Sequence, residues 1–191
     1  MFPIQLGLKA SCAPEQVASR LKYHPDVFEF FTSEVDYTAD GLEKLEEAIQ
    51  KVKSSSVKTI VLHHPMKYQG KRLELVAHPK NNAELVNFID FSTQKLLDLA
   101  KKYDCKVLVH GSYELEEAEL LEPFASIEDA RQYLFSRMDH FCNIGKDYIM
   151  FENGISKLYS YGNPDFDRLL AQKAYPLAYD VSHAFIYLHG D

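Results

Sequence analysis

Residues 105–111 read Cys105-Lys-Val-Leu-Val-His-Gly111, a short β-branched run that ends in a polar side chain. Five other runs rich in β-branched or aromatic residues lie along the chain, and stretches with helical spacing separate them. The six strand candidates span residues 3–9, 26–31, 57–63, 105–110, 147–152 and 175–180. Strands that alternate with helices predict an α/β fold with a parallel sheet.

Start signals mark the five helices that separate these strands. Ser126 and Asp129 form a capping box, and Asn163 followed by Pro164 is typical of a helix cap and first turn. The predicted helices begin at Pro14, near Asp40, at Asn81 or Asn82, at Ser126 and at Asn163. No helix is predicted after the sixth strand.

Composition limits the class of protein. A length of 191 residues predicts one domain over residues 1–191, although a β/α barrel typically needs about 250 residues. The net charge of -7 disfavours nucleic-acid binding, and the lack of a run of about 18 apolar residues predicts no membrane span. Three cysteines without a CxxC pair fit a reducing cytoplasm better than a disulfide framework.

Polar residues stand at the ends of four predicted strands. These strands end in His63-His64-Pro65, His110-Gly111, Glu152-Asn153-Gly154 and Asp180-Val181-Ser182-His183. The C-terminal ends of parallel strands share one edge, where ligands bind. The sequence therefore predicts a divalent-metal or acid/base site at this edge.

Strand periodicity predicts which of these side chains converge. His63 lies two residues after Val61, and Glu152 two after Met150, so each polar group shares a face with an apolar neighbour. His110 follows Leu108 in the same way. His64 replaces His63 if the register is shifted by one.

Asp180 and His183 are three residues apart and cannot share a strand face. They meet only if the strand ends near Val181 and the chain turns back.

The connection over residues 66–79 is long and basic. It carries Lys67, Lys71, Arg72 and His78 beside the predicted site. A solvated basic loop is one interpretation, and a lid that contacts an anionic or polyhydroxylic substrate is the other.

Together these motifs resemble the xylose isomerase-like TIM barrels, a family of sugar isomerases, epimerases and endonuclease IV-type nucleases. His63 with Pro65 is similar to the strand-three motif of the family, and Val109-His110-Gly111 to the strand-four motif. Phe151-Glu152-Asn153 is similar to the strand-five metal-binding Glu, and Asp180-Val-Ser-His183 to the strand-six Asp-x-x-His. The order of these motifs at consecutive strand ends makes the resemblance specific.

The resemblance implies a site with assigned roles. Glu152 and Asp180 bind a divalent metal ion (Mn, Mg, Co or Zn), and His110 and His183 bind further metal or substrate. His63 is a third substrate-binding candidate.

Two features depart from the family pattern. Gly111 follows His110 where His-Pro-Gly is common. Family members also continue through a seventh strand with His and Asp ligands and an eighth with a second Glu, whereas this chain reaches Asp191 after strand six. We therefore expect a six-stranded, incomplete barrel whose open edge favours a homo-oligomer or a complementing chain. A doubly wound open sheet is the structural alternative.

Three functions follow as hypotheses. The first is a metal-dependent isomerase or epimerase of a small sugar or sugar phosphate, in which Glu152 moves a proton through an enediolate. The second is a zinc-dependent phosphodiester hydrolase of the endonuclease IV type. The third is a truncated or split barrel without activity of its own.

Overall fold

The computed structural model describes residues 4–114 and 122–190, so Pro3 of the first predicted strand lies outside the described residues. The chain divides into two compact units. We call residues 1–72 and 91–107 the N-terminal unit, and residues 73–90 and 108–191 the C-terminal unit. The single domain over residues 1–191 stays a prediction.

Strands and helices follow the predicted order along the chain. The strands are β1 (Gly7–Ala10), β2 (Val27–Phe31), β3 (Thr59–His63), β4 (Lys67–Tyr68), β5 (Lys71–Arg72), β6 (Lys106–His110), β7 (Ile149–Glu152) and β8 (Leu177–Ala178). The helices are α1 (Pro14–Leu21), α2 (Ala39–Lys53), α3 (Pro79–Tyr103), α4 (Ile127–Gly145), α5 (Pro164–Lys173) and α6 (Val181–His189), with 3₁₀ turns at Glu34–Tyr37 and Lys146–Tyr148. The predicted α/β alternation is confirmed.

Three parallel strands form the sheet of the N-terminal unit, in the order β1, β2, β3. One sheet face carries apolar side chains that are at most 2% exposed, among them Phe28, Phe30, Ile60 and Leu62. Helix α2 contacts β3 and buries Leu45, Ile49 and Val52. Burial of apolar surface contributes about 25 cal/mol per Å², so this layer holds the strand ends in place.

The other face of this sheet carries three ionisable residues, which we call the ion triad: Lys9 on β1, Glu29 on β2 and His63 on β3. Lys9 pairs with Glu29 in the register, and His63 lies two residues beyond Val61, the partner of Glu29 on β3. Lys9 Nζ and His63 Nδ1 each lie 2.6 Å from Glu29 Oε1, and 2.8 Å from each other. His63 therefore occupies the face that the sequence predicts for it.

Ionisation of Glu29 reflects a balance of two effects. Burial of the carboxyl opposes ionisation, but hydrogen bonds with His63 and Lys9 outweigh burial and lower the pKa of Glu29 to about 2. The triad consequently holds a carboxylate at every pH above that value.

His64 points away from the triad. Its Nε2 lies 2.7 Å from the Ser92 hydroxyl on α3, and both side chains are buried. The alternative register, in which His64 replaces His63, is therefore wrong.

Strands β6, β7 and β8 are consecutive in the order of the sheet, and β7 pairs with β8 in parallel within the C-terminal unit. Ser126 accepts a hydrogen bond from the Asp129 N–H at the start of α4, as the capping box predicts. Asn163 caps α5 in the same manner. Within each of the two series, β1 to β3 and β6 to β8, every strand lies beside the strand that precedes it. A β/α barrel has the same sequential order of neighbouring strands.

The end of the predicted sixth strand is wrong. β8 covers only Leu177–Ala178, and Asp180 caps helix α6, which the sequence did not predict. Asp180 Oδ1 accepts hydrogen bonds from the backbone N–H groups of Ser182 and His183, at 2.7 and 3.0 Å. A carboxylate that satisfies two free N–H groups favours a helix start at this point over further strand.

The connection over residues 66–79 is not wholly a loop. β4 and β5 pair in antiparallel fashion, and Gln69 and Gly70 between them have φ angles of 49° and 79°, typical of a type I′ turn. Residues 73–76 are buried in the C-terminal unit. Lys67, Lys71 and Arg72 thus lie on a short hairpin, whereas His78 lies directly before α3, and a role as a lid stays a prediction.

Large apolar side chains are exposed on β8, on α6 and on the short segment between them. Leu177, Tyr179, Val181, Phe185 and Leu188 are all at least 40% exposed. Association with a second chain stays a prediction that this exposure favours. None of the helices built from residues 4–114 and 122–190 has the length and apolar character needed to cross a membrane.

The ion triad predicts how stability depends on pH. We expect Glu29→Gln to lower the free energy of unfolding at neutral pH by about 1–3 kcal/mol, because Lys9 and His63 lose their carboxylate. Because the pKa of Glu29 is lowered from 4.5 to about 2, this contribution is complete above pH 4.5 and is lost as the pH falls toward 2. Urea unfolding should show the gap between wild type and variant narrowing over that interval, and a gap that does not change with pH would contradict the assignment.

Candidate metal centre

Glu152 and His110 face each other at the ends of two neighbouring strands. Glu152 is the last residue of β7 and His110 the last of β6. His110 Nε2 lies 2.8 Å from Glu152 Oε2, and the two side chains are 7% and 13% exposed. A protonated imidazole at this distance offsets part of the cost of burying the carboxylate.

Asn153 ties the segment after β7 to the segment after β8. Its amide donates a hydrogen bond to the Asp180 carbonyl at 3.0 Å and accepts one from the Asp180 N–H at 2.8 Å. Asn153 is fully buried. The two bonds fix Asp180 relative to Glu152, the residue before Asn153 in the chain.

Asn153 also fixes the ring of His183. His183 Nδ1 lies 2.7 Å from the backbone carbonyl oxygen of Asn153. A carbonyl oxygen only accepts, so Nδ1 carries the proton, and Nε2 is the ring nitrogen able to bind a metal when the imidazole is neutral. His183 Nε2 lies 3.8 Å from Asp180 Oδ2.

Three donors converge at this point. One ligand atom each from Glu152, Asp180 and His183 lies within 4.8 Å of the other two. Ligands bound at about 2.0–2.2 Å from one ion lie no more than about 4.4 Å apart, so donors at this spacing are near the separation that one ion requires. Two carboxylates and one imidazole suit Mn, Mg, Co or Zn, so the residues fit the divalent ion that the sequence predicts.

His110, the fourth predicted ligand, lies beside this group of three donors. His110 contacts Glu152 directly and lies outside the group of Glu152, Asp180 and His183, but His110 and Glu152 also belong together to a second group of possible metal ligands. His63 lies in the N-terminal unit, as part of the ion triad.

Two residues near this centre were not predicted from the sequence. The ring of Tyr113 stands edge-on to His110 and to His183, with centroid distances of 5.3 and 5.0 Å. Glu74, only 4% exposed, accepts hydrogen bonds from the backbone N–H groups of Tyr113 and Glu114 at 2.9 and 3.0 Å. A carboxyl within the apolar run of residues 73–76 is the signal that could have revealed Glu74.

Close backbone packing supports the same loop. Ile155 donates its N–H to the Tyr113 carbonyl at 2.8 Å. A Cβ atom on Gly154 would lie 2.0 Å from the Ser112 carbonyl oxygen, so only glycine fits where the segments after β6 and β7 meet.

Comparison of the whole chain with known proteins shows which fold it has. No family model and no curated protein sequence matches the chain. Among solved structures, a D-tagatose 3-epimerase-like protein is 19% identical with a TM-score of 0.62, over 95% of this chain and 66% of that one. A D-psicose 3-epimerase, solved in the presence of D-fructose, is 9% identical with a TM-score of 0.64, over 98% of this chain and 66% of that one.

A third structure, SacUVDE, is 12% identical with a TM-score of 0.56, over 90% of this chain and 58% of that one. The chain thus spans 66% of the length of the first two of these structures and 58% of the third, less than two thirds in each case. It shares the β/α-barrel fold of these solved structures, with six strands of the main sheet among the described residues. The predicted fold is confirmed.

Because the Asn153 side chain is hydrogen-bonded to the backbone of Asp180, we expect its removal to lower the affinity for metal. We expect Asn153→Ala to weaken Mn²⁺ binding about 10–100-fold, because Asp180 and His183 lose their fixed position beside Glu152. Isothermal titration calorimetry measures the change. Asn163→Ala is the matched control, since it removes the cap of α5 and should cost about 1 kcal/mol of stability without changing Mn²⁺ affinity. Equal Mn²⁺ affinity in both variants would refute the role of Asn153.

The hydrogen bonds of Glu74 lead to a second prediction, which concerns stability. Glu74→Gln places an amide NH₂ group against backbone donors, so we expect the free energy of unfolding to fall by about 1–3 kcal/mol. Near-ultraviolet circular dichroism should report a changed environment of Tyr113. An unchanged spectrum together with unchanged stability would show that the Glu74 carboxylate does not hold the loop.

Proposed function

We propose that the protein is a metal-dependent isomerase or epimerase of a sugar or sugar phosphate, which transfers a proton through an enediolate. The observation that carries this proposal is the convergence of Glu152, Asp180 and His183 within 4.8 Å. The fold shared with two 3-epimerase structures supports it. These two structures share the fold with this chain at low sequence identity, so the substrate class is part of what we propose.

In this proposal Glu152, Asp180 and His183 hold the ion. When bound, the divalent ion polarises a substrate carbonyl and stabilises negative charge on its oxygen. Asn153 keeps Asp180 in place and holds the protonated Nδ1 of His183 away from the donor group. His183 and His110 also orient substrate hydroxyls.

Glu152 is the base of the reaction. Its carboxylate takes a proton from the carbon next to the substrate carbonyl, which produces the enediolate. The His110 contact at 2.8 Å restrains the carboxylate, so the base stays aligned. Epimerisation also requires an acid that returns a proton to the opposite face of the enediolate. We assign that role to none of the described residues.

The other two hypotheses predict different behaviour. A hydrolase of the second type would hold several zinc ions and cleave phosphodiesters. A barrel without activity of its own would bind neither metal nor sugar until a complementing chain joins it.

Substitution of the base tests the proposal. We expect the purified chain to bind one Mn²⁺, and Glu152→Gln to weaken that binding at least tenfold, because the ion loses a charged ligand. Where the wild type converts a ketohexose to its epimer, the same change should reduce kcat by a factor of at least about 10². Solvent deuterium should enter the substrate during turnover.

Glu128→Gln is the matched control, because Glu128 is an exposed acid paired with Arg131 on α4. It should change neither Mn²⁺ affinity nor turnover. Several bound zinc ions with phosphodiester cleavage, or the absence of any metal binding, would contradict the proposal.

A further inference from the structure

Helix α6 presents a stripe of apolar side chains to solvent. Val181, Phe185 and Leu188 are 70%, 62% and 53% exposed, and their spacing of i, i+4 and i+7 puts them on one face of the helix. A helix on a protein surface typically carries charged residues on its outer face, but α6 contains no Lys, Arg, Asp or Glu. His183 of the candidate metal centre follows Val181 by two residues, so it lies on the opposite face of the helix.

The apolar surface continues from α6 onto the segment that precedes it. The ring of Tyr179, which is 57% exposed, stands edge-on to the ring of Tyr161 at a centroid distance of 6.0 Å. A Cβ atom on the next residue, Gly162, would lie 2.8 Å from Leu188 Cδ1. Tyr179 and Leu188 therefore lie close together, on either side of residues 161 and 162. We define the α6 patch as Tyr179, Val181, Phe185 and Leu188.

The α6 patch is large enough to form half of an interface. An aromatic side chain offers about 150–250 Å² and Val and Leu offer less, so the exposed fractions leave roughly 400–500 Å² of mainly apolar surface. The largest apolar patch on a monomeric protein measures about 300–600 Å² and is often functional. Two copies that cover this patch mutually bury about 800–1,000 Å², and the polar rim brings the total to the lower limit of a specific interface.

The shape of the stripe favours a second copy of the same helix as the partner. Phe185 is the fifth of the nine residues of α6, so a twofold axis beside it places Phe185 against its counterpart and Val181 near Leu188 of the partner subunit. Antiparallel helices also bring the positive end of each helix dipole beside the negative end of the other. A partner recognised by its charge would find no oppositely charged side chain on α6.

We propose that the α6 patch is the interface of a homodimer, in which two α6 helices pack antiparallel about a twofold axis. The dimer goes beyond the proposed function, because it requires neither the metal ion nor Glu152. Each copy has a net charge of -7, so long-range repulsion opposes association and the apolar contact must outweigh it. Added NaCl screens this repulsion and should strengthen the dimer.

Sedimentation equilibrium of the full chain in EDTA measures the association directly. Because the interface is small, we expect wild type to dimerise with a dissociation constant of about 1–100 µM. Phe185→Ala should raise this constant at least about tenfold, because an aromatic residue at the centre of an interface carries much of the binding energy. Phe91→Ala is the matched control, since Phe91 is 44% exposed on α3 and lies outside the α6 patch. It should leave the constant unchanged.

Cross-linking tests the twofold geometry. Phe185→Cys places one thiol of each copy beside the axis, so a short bismaleimide should join the two copies. Phe91→Cys gives the background from the three native cysteines, which both variants share. Circular dichroism checks the fold of each variant.

Four results would overturn the proposal. These are a wild type that stays monomeric at about 200 µM, Phe185→Ala that dimerises as tightly as Phe91→Ala, Phe185→Cys that cross-links no better than Phe91→Cys, and a dimer that NaCl weakens. Each measurement is made without metal, so loss of the dimer and loss of the metal centre are separate outcomes.

Discussion

The candidate metal centre depends on the two hydrogen bonds between the Asn153 side chain and the backbone of Asp180. Glu152 precedes Asn153 directly, and His183 follows Asp180 on the first turn of α6. One buried amide therefore sets the distance between donors from two chain segments. The Asn153 carbonyl also orients His183, so a single residue fixes both the position of one carboxylate and the tautomer of one imidazole.

Helix α6 explains why Asp180 and His183 can act together. In a strand, residues three apart point to opposite faces, whereas at a helix start the cap and the third residue after it lie close. Asp180 uses one carboxylate oxygen to cap the helix and keeps the second 3.8 Å from His183 Nε2. The same carboxylate thus ends the strand, starts the helix and remains available as a ligand.

Most of the fold could be predicted from local signals. Alternating apolar runs gave the six strands of the main sheet, and caps such as Ser126 and Asn163 gave the helix starts, because each signal acts within a few residues. The placement of Glu152 and His110 followed from strand periodicity. The start of α6 was missed because an Asp after an apolar run was interpreted as the end of a strand, although Asp is also a preferred helix cap.

Contacts between distant segments could not be predicted in this way. Glu74 holds the backbone of Tyr113 from about forty residues away, and Glu29 joins Lys9 and His63 across three strands. Neither partnership leaves a local periodicity in the sequence. Strand order and register decide such contacts, and both become visible only when the strands are paired.

The most direct measurement of the central claim is an anomalous difference map from a crystal of the full chain grown with Mn²⁺. The account predicts one peak at bonding distance from Glu152, Asp180 and His183, with Asn153 still bonded to Asp180. A peak at other residues, or a map without a peak while Mn²⁺ is in excess, would contradict it.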